Sequence, residues 1–247
     1  MRDLKILITA AGSPMAATNL KYLKKVEERN ISLIGTDLNH DKIGAHWCDK
    51  FYTVPKGEND DFIPSLIEII RKDKPDVLFP QSSAEVIALS KNKDVLEKEG
   101  VKVLISSEDA VYKSENKAEL YKALENTSVK IPNFRVVNSL NEFLDAVKIL
   151  GYPGTPVCFK PPISKGTRGF RILRDDVSRK HILLNERPIN RFISINEFKE
   201  IFEGDPDFPE LLVMEFVEGE EHTTDPLTLK GKTLVCPVKT RENERAG

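Results

Sequence analysis

Apolar stretches alternate with amphipathic ones through the first part of the chain. Residues 4–10 read LKILITA, an apolar and partly β-branched run that predicts a buried strand. Small residues and Pro14 follow, and the apolar spacing beyond them predicts a helix to about Arg29. The segment ISLIGTDLN then predicts a second strand ending at Asp37. This order indicates a strand–helix–strand unit.

The same alternation continues to about residue 105. Further strands are predicted over residues 51–54, 76–79 and 101–105, with helices over 62–72 and 82–98 between them. The last of these helices opens with Ser82-Ser83-Ala84-Glu85, which fits a capping box. Strands and helices that alternate with short linkers predict an α/β domain with a doubly wound parallel sheet.

The periodicity changes in the second part of the chain. Helical patterns over residues 108–113, 116–125 and 139–150 lead to three β-like stretches, VCFKPP, GFRIL and LLVMEFV. Turns separate these stretches, which is typical of an antiparallel α+β lobe. We therefore expect a domain boundary near Ser114.

Composition narrows the class of protein. The 247 residues carry 37 Lys and Arg against 39 Asp and Glu, a formal charge of −2 that argues against a nucleic-acid partner. Apolar runs are shorter than the roughly 18 residues of a membrane span, so no membrane partner is expected. The cysteines Cys48, Cys158 and Cys236 lie far apart without a Cys-x-x-Cys pair, which favours reduced thiols and a cytoplasmic location.

The loop after the first strand admits a dinucleotide interpretation. Asp37 closes the second strand, where a ribose-binding acid lies in Rossmann proteins. The required G-x-G-x-x-G is absent, because AAGSPMAATN offers only Gly12. An NAD-binding oxidoreductase is therefore the weaker alternative.

A basic hairpin is the first candidate for binding chemistry. Lys160 ends an apolar strand, and a loop from Ser164 to Gly169 leads into the next strand. Such a hairpin can place backbone N–H groups and one ammonium against a polyphosphate. The Walker A pattern is absent, and a solvated β-turn with ordinary surface lysines is the alternative.

An acidic strand exit is the second candidate. In LLVMEFVEGEEHTTDPLTL, a buried strand delivers Glu215, and Glu221 follows a short turn. Main-chain groups at such an exit can read the edge of adenine while a carboxylate accepts hydrogen bonds from ribose. The alternative is a solvated acidic hairpin.

Together the two segments resemble the ATP-grasp superfamily, in particular the large subunit of carbamoyl-phosphate synthase and related carboxylate–amine ligases. EFVEGEEHTTD is similar to the family pattern E-(apolar)-x-x-G-x-E-x-x-x-D, and KSENKAELYKALENTSVKIPNF is similar to the lead-in helix. The resemblance implies that Lys117 and Lys160 contact phosphates, that Glu215 receives the adenine amino group, and that Glu221 holds the ribose. The nucleotide-binding residues implied are Lys117, Lys160, Ser164, Lys165, Gly166, Thr167, Arg168, Gly169, Glu215, Phe216, Val217 and Glu221.

The resemblance also implies the organisation and chemistry of the chain. It predicts a pre-ATP-grasp domain over residues 1–114, a nucleotide-binding lobe over 115–226, and the start of a C-terminal lobe over 227–247. ATP and Mg²⁺ are the implied cofactors. The metal ligands are expected in the remainder of the C-terminal lobe, beyond residue 247, and the resemblance assigns no catalytic or metal-binding residue to this chain. The implied reaction joins a small carboxylate to an amine through an acylphosphate.

This chain alone is then expected to be inactive for want of metal ligands. We expect a truncated or cleaved ligase, or a separate C-terminal polypeptide that completes it, and a homodimer is left open. A non-catalytic nucleotide-binding module is the remaining alternative.

Overall fold

The computed structural model describes residues 2–164, 168–178, 180, 184 and 191–240. The chain divides into two compact units, residues 1–115 and 116–247. The assignment of three functional domains stays a prediction. Within the described residues, no helix is both long and apolar enough to cross a membrane.

The first unit is a three-layer α/β structure with a five-stranded parallel sheet in the order β3-β2-β1-β4-β5. This confirms the predicted doubly wound domain. Its elements are β1 (Leu4–Ile8), α1 (Pro14–Leu23), β2 (Ile31–Asp37), a 3-10 helical turn (Ile43–Trp47), β3 (Lys50–Thr53), α2 (Phe62–Asp73), β4 (Val77–Phe79), α3 (Ser83–Lys91), α4 (Lys93–Lys98), β5 (Lys102–Val103) and α5 (Glu108–Glu115).

Two helix predictions in this unit need correction. The first helix ends at Leu23, six residues before the predicted end at Arg29. The helix predicted to reach Lys98 is interrupted at Asn92, which separates α3 from α4. Both differences concern helix ends, which local sequence patterns specify weakly.

The parallel sheet buries both of its faces. Leu7, Ile34 and Leu78 pack on one face beneath α2 and α3, whereas Ile8 and Leu33 pack on the other face with α1. Successive strands are added on one side of β1 up to β3 and on its other side from β4 onward. The loops after β1 and β4 therefore flank a crevice where ligands often bind in such folds.

The second unit contains a five-stranded sheet in the order β6-β10-β7-β8-β9, antiparallel except between β8 and β9. This confirms the predicted α+β lobe. Its elements are α6 (Lys117–Leu124), β6 (Phe134–Val137), α7 (Leu140–Ile149), β7 (Val157–Lys160), β8 (Arg171–Leu173), β9 (Phe192–Ile193), α8 (Ile195–Phe202), β10 (Leu211–Glu215), β11 (His222–Thr224), β12 (Leu227–Leu229), β13 (Lys232–Val235) and β14 (Val238–Thr240).

The two faces of this sheet differ in composition. One face packs on α7 and α8 through aromatic rings: Phe143 stacks on Phe198 with centroids 3.8 Å apart and meets Phe159 edge-on. The other face carries Cys158 and Met214, against which Tyr121 of α6 packs. Because side chains alternate along a strand, each strand of this sheet contributes to both faces.

Candidate functional site

Lys117 joins the start of α6 to the loop after β7. The helix begins here because Asn116 caps it, its side-chain oxygen accepting from two backbone N–H groups of the first turn at 3.0 and 3.2 Å. The ammonium of Lys117 donates to the carbonyl oxygens of Ser164 (2.8 Å) and Pro162 (3.4 Å). The helix therefore places this ammonium beside the predicted phosphate-binding loop.

Lys160 is the last residue of β7 and lies opposite Leu212 of β10. It therefore projects from the same sheet face as Cys158. Burial lowers the pKa of its half-buried ammonium, an effect that the charge of Lys117 reinforces and Cys158 opposes. Among the described residues its Nζ makes no hydrogen bond or ion pair, and it lies 5.9 Å from the centroid of the Tyr121 ring. The charge of the Lys117 ammonium thus acts on that of Lys160.

The loop after Lys160 is described in part. The Ser164 hydroxyl donates to the carbonyl of Pro161 at 3.2 Å. Gly169 has φ +76°, and a Cβ there would lie 2.6 Å from Cδ of Pro161, so glycine is needed for the shape of the hairpin. Arg168 is exposed, and the predicted site residues 165–167 lie outside the described residues.

Glu215, the last residue of β10, directs its carboxylate away from the Lys160 face. The carboxylate accepts hydrogen bonds from the side chain (2.7 Å) and backbone N–H (3.0 Å) of Asn133, which lower its pKa. Its carbonyl oxygen lies 3.9 Å from Sγ of Cys158, a residue of the Lys160 face. Any contact of Glu215 with a ligand on that face therefore involves its main chain.

The residues after Glu215 leave the sheet. The Phe216 N–H donates to the carbonyl of Pro156 at 2.8 Å, and its half-buried ring packs with the Lys160-face cluster. Val217 is 70% exposed, and Glu221 is exposed just before β11. The structure thus brings Lys117, Lys160 and Ser164 together and places the strand exit on the same sheet, and the ligand roles of these residues stay predictions.

A buried carboxyl lies at the carboxyl edge of the parallel sheet in the first unit. Ser82 caps α3 as predicted, but Glu85 does not complete the capping box; it accepts a hydrogen bond of 2.5 Å from the Thr9 hydroxyl. Burial raises the pKa of Glu85 to about 7, Asp37 adding to the rise and Thr9 opposing it. Spacing alone identified the cap, but it could not show that Thr9 competes for the carboxylate.

The nearby loop offers little room for a dinucleotide. Asp37 accepts a hydrogen bond from the Gly12 N–H at 2.9 Å, so its carboxylate is engaged within the fold. Gly44 of the 3-10 turn packs so closely that a Cβ there would lie 1.8 Å from the carbonyl oxygen of Ala11. The geometry therefore gives the NAD-binding alternative no support.

Two residues of the candidate site, Tyr121 and Asn133, were not identified from the sequence. Tyr121 lies four residues after Lys117 on α6, and this helical spacing was a usable signal. Asn133 lies 82 residues from Glu215, and no local pattern links them. Among the described residues, no group of three or more His, Cys, Asp or Glu side chains is placed to hold a metal ion.

Comparisons by sequence and by structure both find proteins that are similar to this chain. A family model described as "PylC-like, N-terminal domain" matches residues 6–104. The N-terminal section of the carbamoyl phosphate synthase large chain from Aquifex aeolicus is 29% identical over 147 residues, which are 55% of this chain and 26% of that protein.

Solved structures share the fold at low sequence identity. An ADP complex of PurK, N5-carboxyaminoimidazole ribonucleotide synthetase, matches with a TM-score of 0.66 at 17% identity, over 96% of this chain and 54% of that one. The biotin carboxylase domain of 2-oxoglutarate carboxylase from Hydrogenobacter thermophilus, in complex with MgADP, ADP and bicarbonate, matches with a TM-score of 0.59 at 16% identity, over 88% and 45%.

This chain spans about a quarter of the length of the matched synthase section and about half of each of these solved chains. Carbamoyl phosphate synthase, which the lysine hairpin and the acidic strand exit resemble, is among the proteins that match in sequence. The chain is similar in sequence to the large chain of carbamoyl phosphate synthase, and it shares the fold of PurK and of the biotin carboxylase domain.

Proposed function

We propose that residues 116–240 bind ATP on the sheet face that carries Lys160, as the nucleotide-binding part of a carboxylate–amine ligase. Lys117 and Lys160 hold the phosphates, with Ser164 and the hairpin beyond it alongside them. The main chain of Glu215, Phe216 and Val217 contacts adenine, and Glu221 contacts the ribose. Residues 165–169 belong to the same proposed phosphate site.

The pairing of Lys117 with Lys160 is the observation that carries this proposal. The two residues are 43 positions apart, yet the Lys117 ammonium lies beside the loop after Lys160, 2.8 Å from the Ser164 carbonyl oxygen. Burial lowers the pKa of Lys160, and the charge of Lys117 lowers it further. Bringing two ammonium groups together in a partly buried site costs free energy, which a bound polyphosphate recovers.

In the proposed reaction, ATP phosphorylates a small carboxylate, and an amine displaces phosphate from the acylphosphate. The residues of this chain contribute position and charge, because phosphoryl transfer depends mainly on aligned phosphates and on the stabilisation of their negative charge. Mg²⁺ bound with ATP supplies further positive charge, and its ligands in a C-terminal lobe stay a prediction.

Calorimetric titration with ADP and ATP in the presence of Mg²⁺ tests the site. We expect Lys160→Met to weaken nucleotide binding about 10- to 100-fold, because it removes a charged hydrogen-bond donor worth roughly 1.5 to 3 kcal/mol. Lys148→Met is the matched control, since Lys148 is exposed on α7, against the opposite sheet face.

Three results would contradict the proposal. They are no detectable nucleotide binding by the unaltered chain, equal affinity in Lys160→Met and the unaltered chain, and an equal loss in the Lys148→Met control. Titration with NADH addresses the oxidoreductase alternative, which predicts that NADH binds more tightly than ATP.

A further inference from the structure

We propose that Tyr121 is the positioning residue for Lys160: its ring holds the Lys160 ammonium in place for a phosphate group without contributing a negative charge. This inference rests on the proposed nucleotide site. The sequence motifs did not identify Tyr121. Its proposed role is to position the ammonium that binds a phosphate of the ligand.

The geometry places the ring where such an interaction is favourable. Nζ of Lys160 lies 5.9 Å from the Tyr121 centroid, within the roughly 6 Å range of cation–π attraction. The ring is itself held, because it meets Phe134 edge-on with centroids 5.3 Å apart and packs against the cluster that contains Cys158 and Met214. A fixed ring restricts the positions open to the ammonium.

The helix supplies both neighbours of Lys160 at once. Lys117 and Tyr121 are four residues apart on α6, so they project from the same side of that helix. Lys117 brings a like charge, which disfavours the protonated form of Lys160, and Tyr121 brings the negative face of a π-system, which favours it. The ring thus offsets part of the repulsion that the paired lysines create.

An aromatic ring suits this task better than a carboxylate. A carboxylate beside Lys160 would neutralise its charge and occupy its N–H donors, and an incoming phosphate would have to displace it. A ring stabilises the cation through its face and leaves hydrogen-bond donors available. Among the described residues, Lys160 has no carboxylate partner, as this account requires.

Substitutions of Tyr121 test the inference, because some keep only the apolar volume of the ring and one also keeps its π-face. We expect Tyr121→Leu and Tyr121→Met to weaken ADP binding about three- to thirtyfold, in line with a partly buried cation–π contact. Tyr121→Phe keeps the π-face and should stay within about twofold of the unaltered chain. Adenosine affinity should not change in any variant, because adenosine has no phosphate.

A double-mutant cycle with Lys160→Met shows whether Tyr121 acts through Lys160. In the Lys160→Met background, Tyr121→Leu should weaken ADP binding no further. Tyr112→Leu is the control, since Tyr112 is 56% exposed on α5. Thermal unfolding of each variant identifies any that fails to fold, and Tyr121→Met then replaces the Leu variant.

The alkaline pH dependence of ADP affinity gives a second readout. Affinity falls as pH rises through the pKa of Lys160, and loss of the ring lowers that pKa further, so the fall should begin at a lower pH in Tyr121→Leu than in Tyr121→Phe. A purely structural role predicts the same loss at every pH.

Three results overturn the inference while leaving the nucleotide site intact. They are unchanged ADP affinity in both Tyr121→Leu and Tyr121→Met, an equal loss of adenosine affinity, and an undiminished effect of Tyr121→Leu in the Lys160→Met background. The second would make Tyr121 part of the adenine pocket, and the third would mean that it does not act through Lys160. If Lys160→Met alone leaves ADP affinity unchanged, the proposed function fails, and this inference fails with it.

Discussion

Polar side chains at strand ends have different surroundings in the two units of this chain. At the carboxyl edge of the parallel sheet, Asp37 accepts a hydrogen bond from the backbone of the first loop, and Glu85 accepts one from Thr9. At the end of β7, the ammonium of Lys160 has an aromatic ring and the like charge of Lys117 beside it, with no hydrogen-bond partner among the described residues.

The difference separates groups that stabilise the fold from groups available to a ligand. A buried polar group satisfied within the protein contributes to structure, whereas a charge left without a partner retains its capacity to bind. Asp37 is in the position of a dinucleotide-binding acid but is already engaged, while Lys160 is not. The position of a residue in a familiar fold is therefore a weaker guide to function than whether its polar atoms already have partners within the protein.

A substitution in the closely packed first loop is expected to change the free energy of unfolding most. Gly44→Ala places a Cβ 1.8 Å from the Ala11 carbonyl oxygen, so backbone must move. We expect a loss of about 3 kcal/mol in the free energy of unfolding, at the upper end of over-packing costs. Urea denaturation measures this loss.

Gly154→Ala is the matched control, because a Cβ there meets its nearest atom at an ordinary 3.4 Å. Nucleotide affinity of folded Gly44→Ala should equal that of the unaltered chain, since the proposed site lies in the second unit. Equal stability of the two alanine variants would mean that the loop around Gly44 has room for a Cβ and is not closely packed.

Substitution of the buried carboxyl of Glu85 is expected to change the free energy of unfolding by a smaller amount that depends on pH. Folding raises the pKa of Glu85 from 4.5 to about 7, so the folded state binds more protons and the free energy of unfolding falls as pH rises through that interval. Glu85→Gln removes this titration while keeping an acceptor for Thr9. We expect it to stabilise the chain by about 2 kcal/mol at pH 8 and by much less at pH 5.

Urea denaturation of Glu85→Gln at the two pH values measures this difference. The exposed Glu58 provides the control substitution, Glu58→Gln, which should change stability little at either pH. A Glu85→Gln variant that is less stable than the unaltered chain at pH 8 would show that the charged carboxylate is favourable there, and the contrast between the two units would lose its basis.

The cap of α6 gives the smallest expected effect and links stability to the proposed site. Asn116→Ala removes the N-cap, which should cost about 1 kcal/mol of stability. Because the cap fixes the start of the helix that carries Lys117, we also expect weaker ADP binding, by about two- to fivefold if a few tenths to 1 kcal/mol is lost there.

Ser139→Ala, which removes the N-cap of α7, is the matched comparison. It should cost a similar amount of stability without weakening ADP binding, because α7 packs on the other sheet face. Calorimetry and thermal unfolding of both variants give the two quantities. Equal ADP affinities in the two variants would show that the cap does not act on the nucleotide site.

Local patterns predicted the elements better than the contacts between them. The apolar run before Asp37, the helical spacing from Phe62 and the strand before Glu215 all lie in elements of the predicted type, because burial imposes a period of two or 3.6 on a sequence. The engagement of the Glu215 carboxylate did not follow, since it depends on a hydrogen bond from Asn133, 82 residues away in the chain. Glu85 shows the same limit for a capping motif.

The sequence by itself determined the alternation of strands and helices, the two fold classes and the lysine and acidic motifs, because periodicity and turn chemistry are properties of neighbouring residues. Tertiary structure alone decided that Asp37 and Glu85 are engaged within the first unit, and that Lys117, Lys160 and Tyr121 meet in the second. Those facts depend on distances across the fold, and charge and hydrogen bonding act through distance in space rather than separation along the chain.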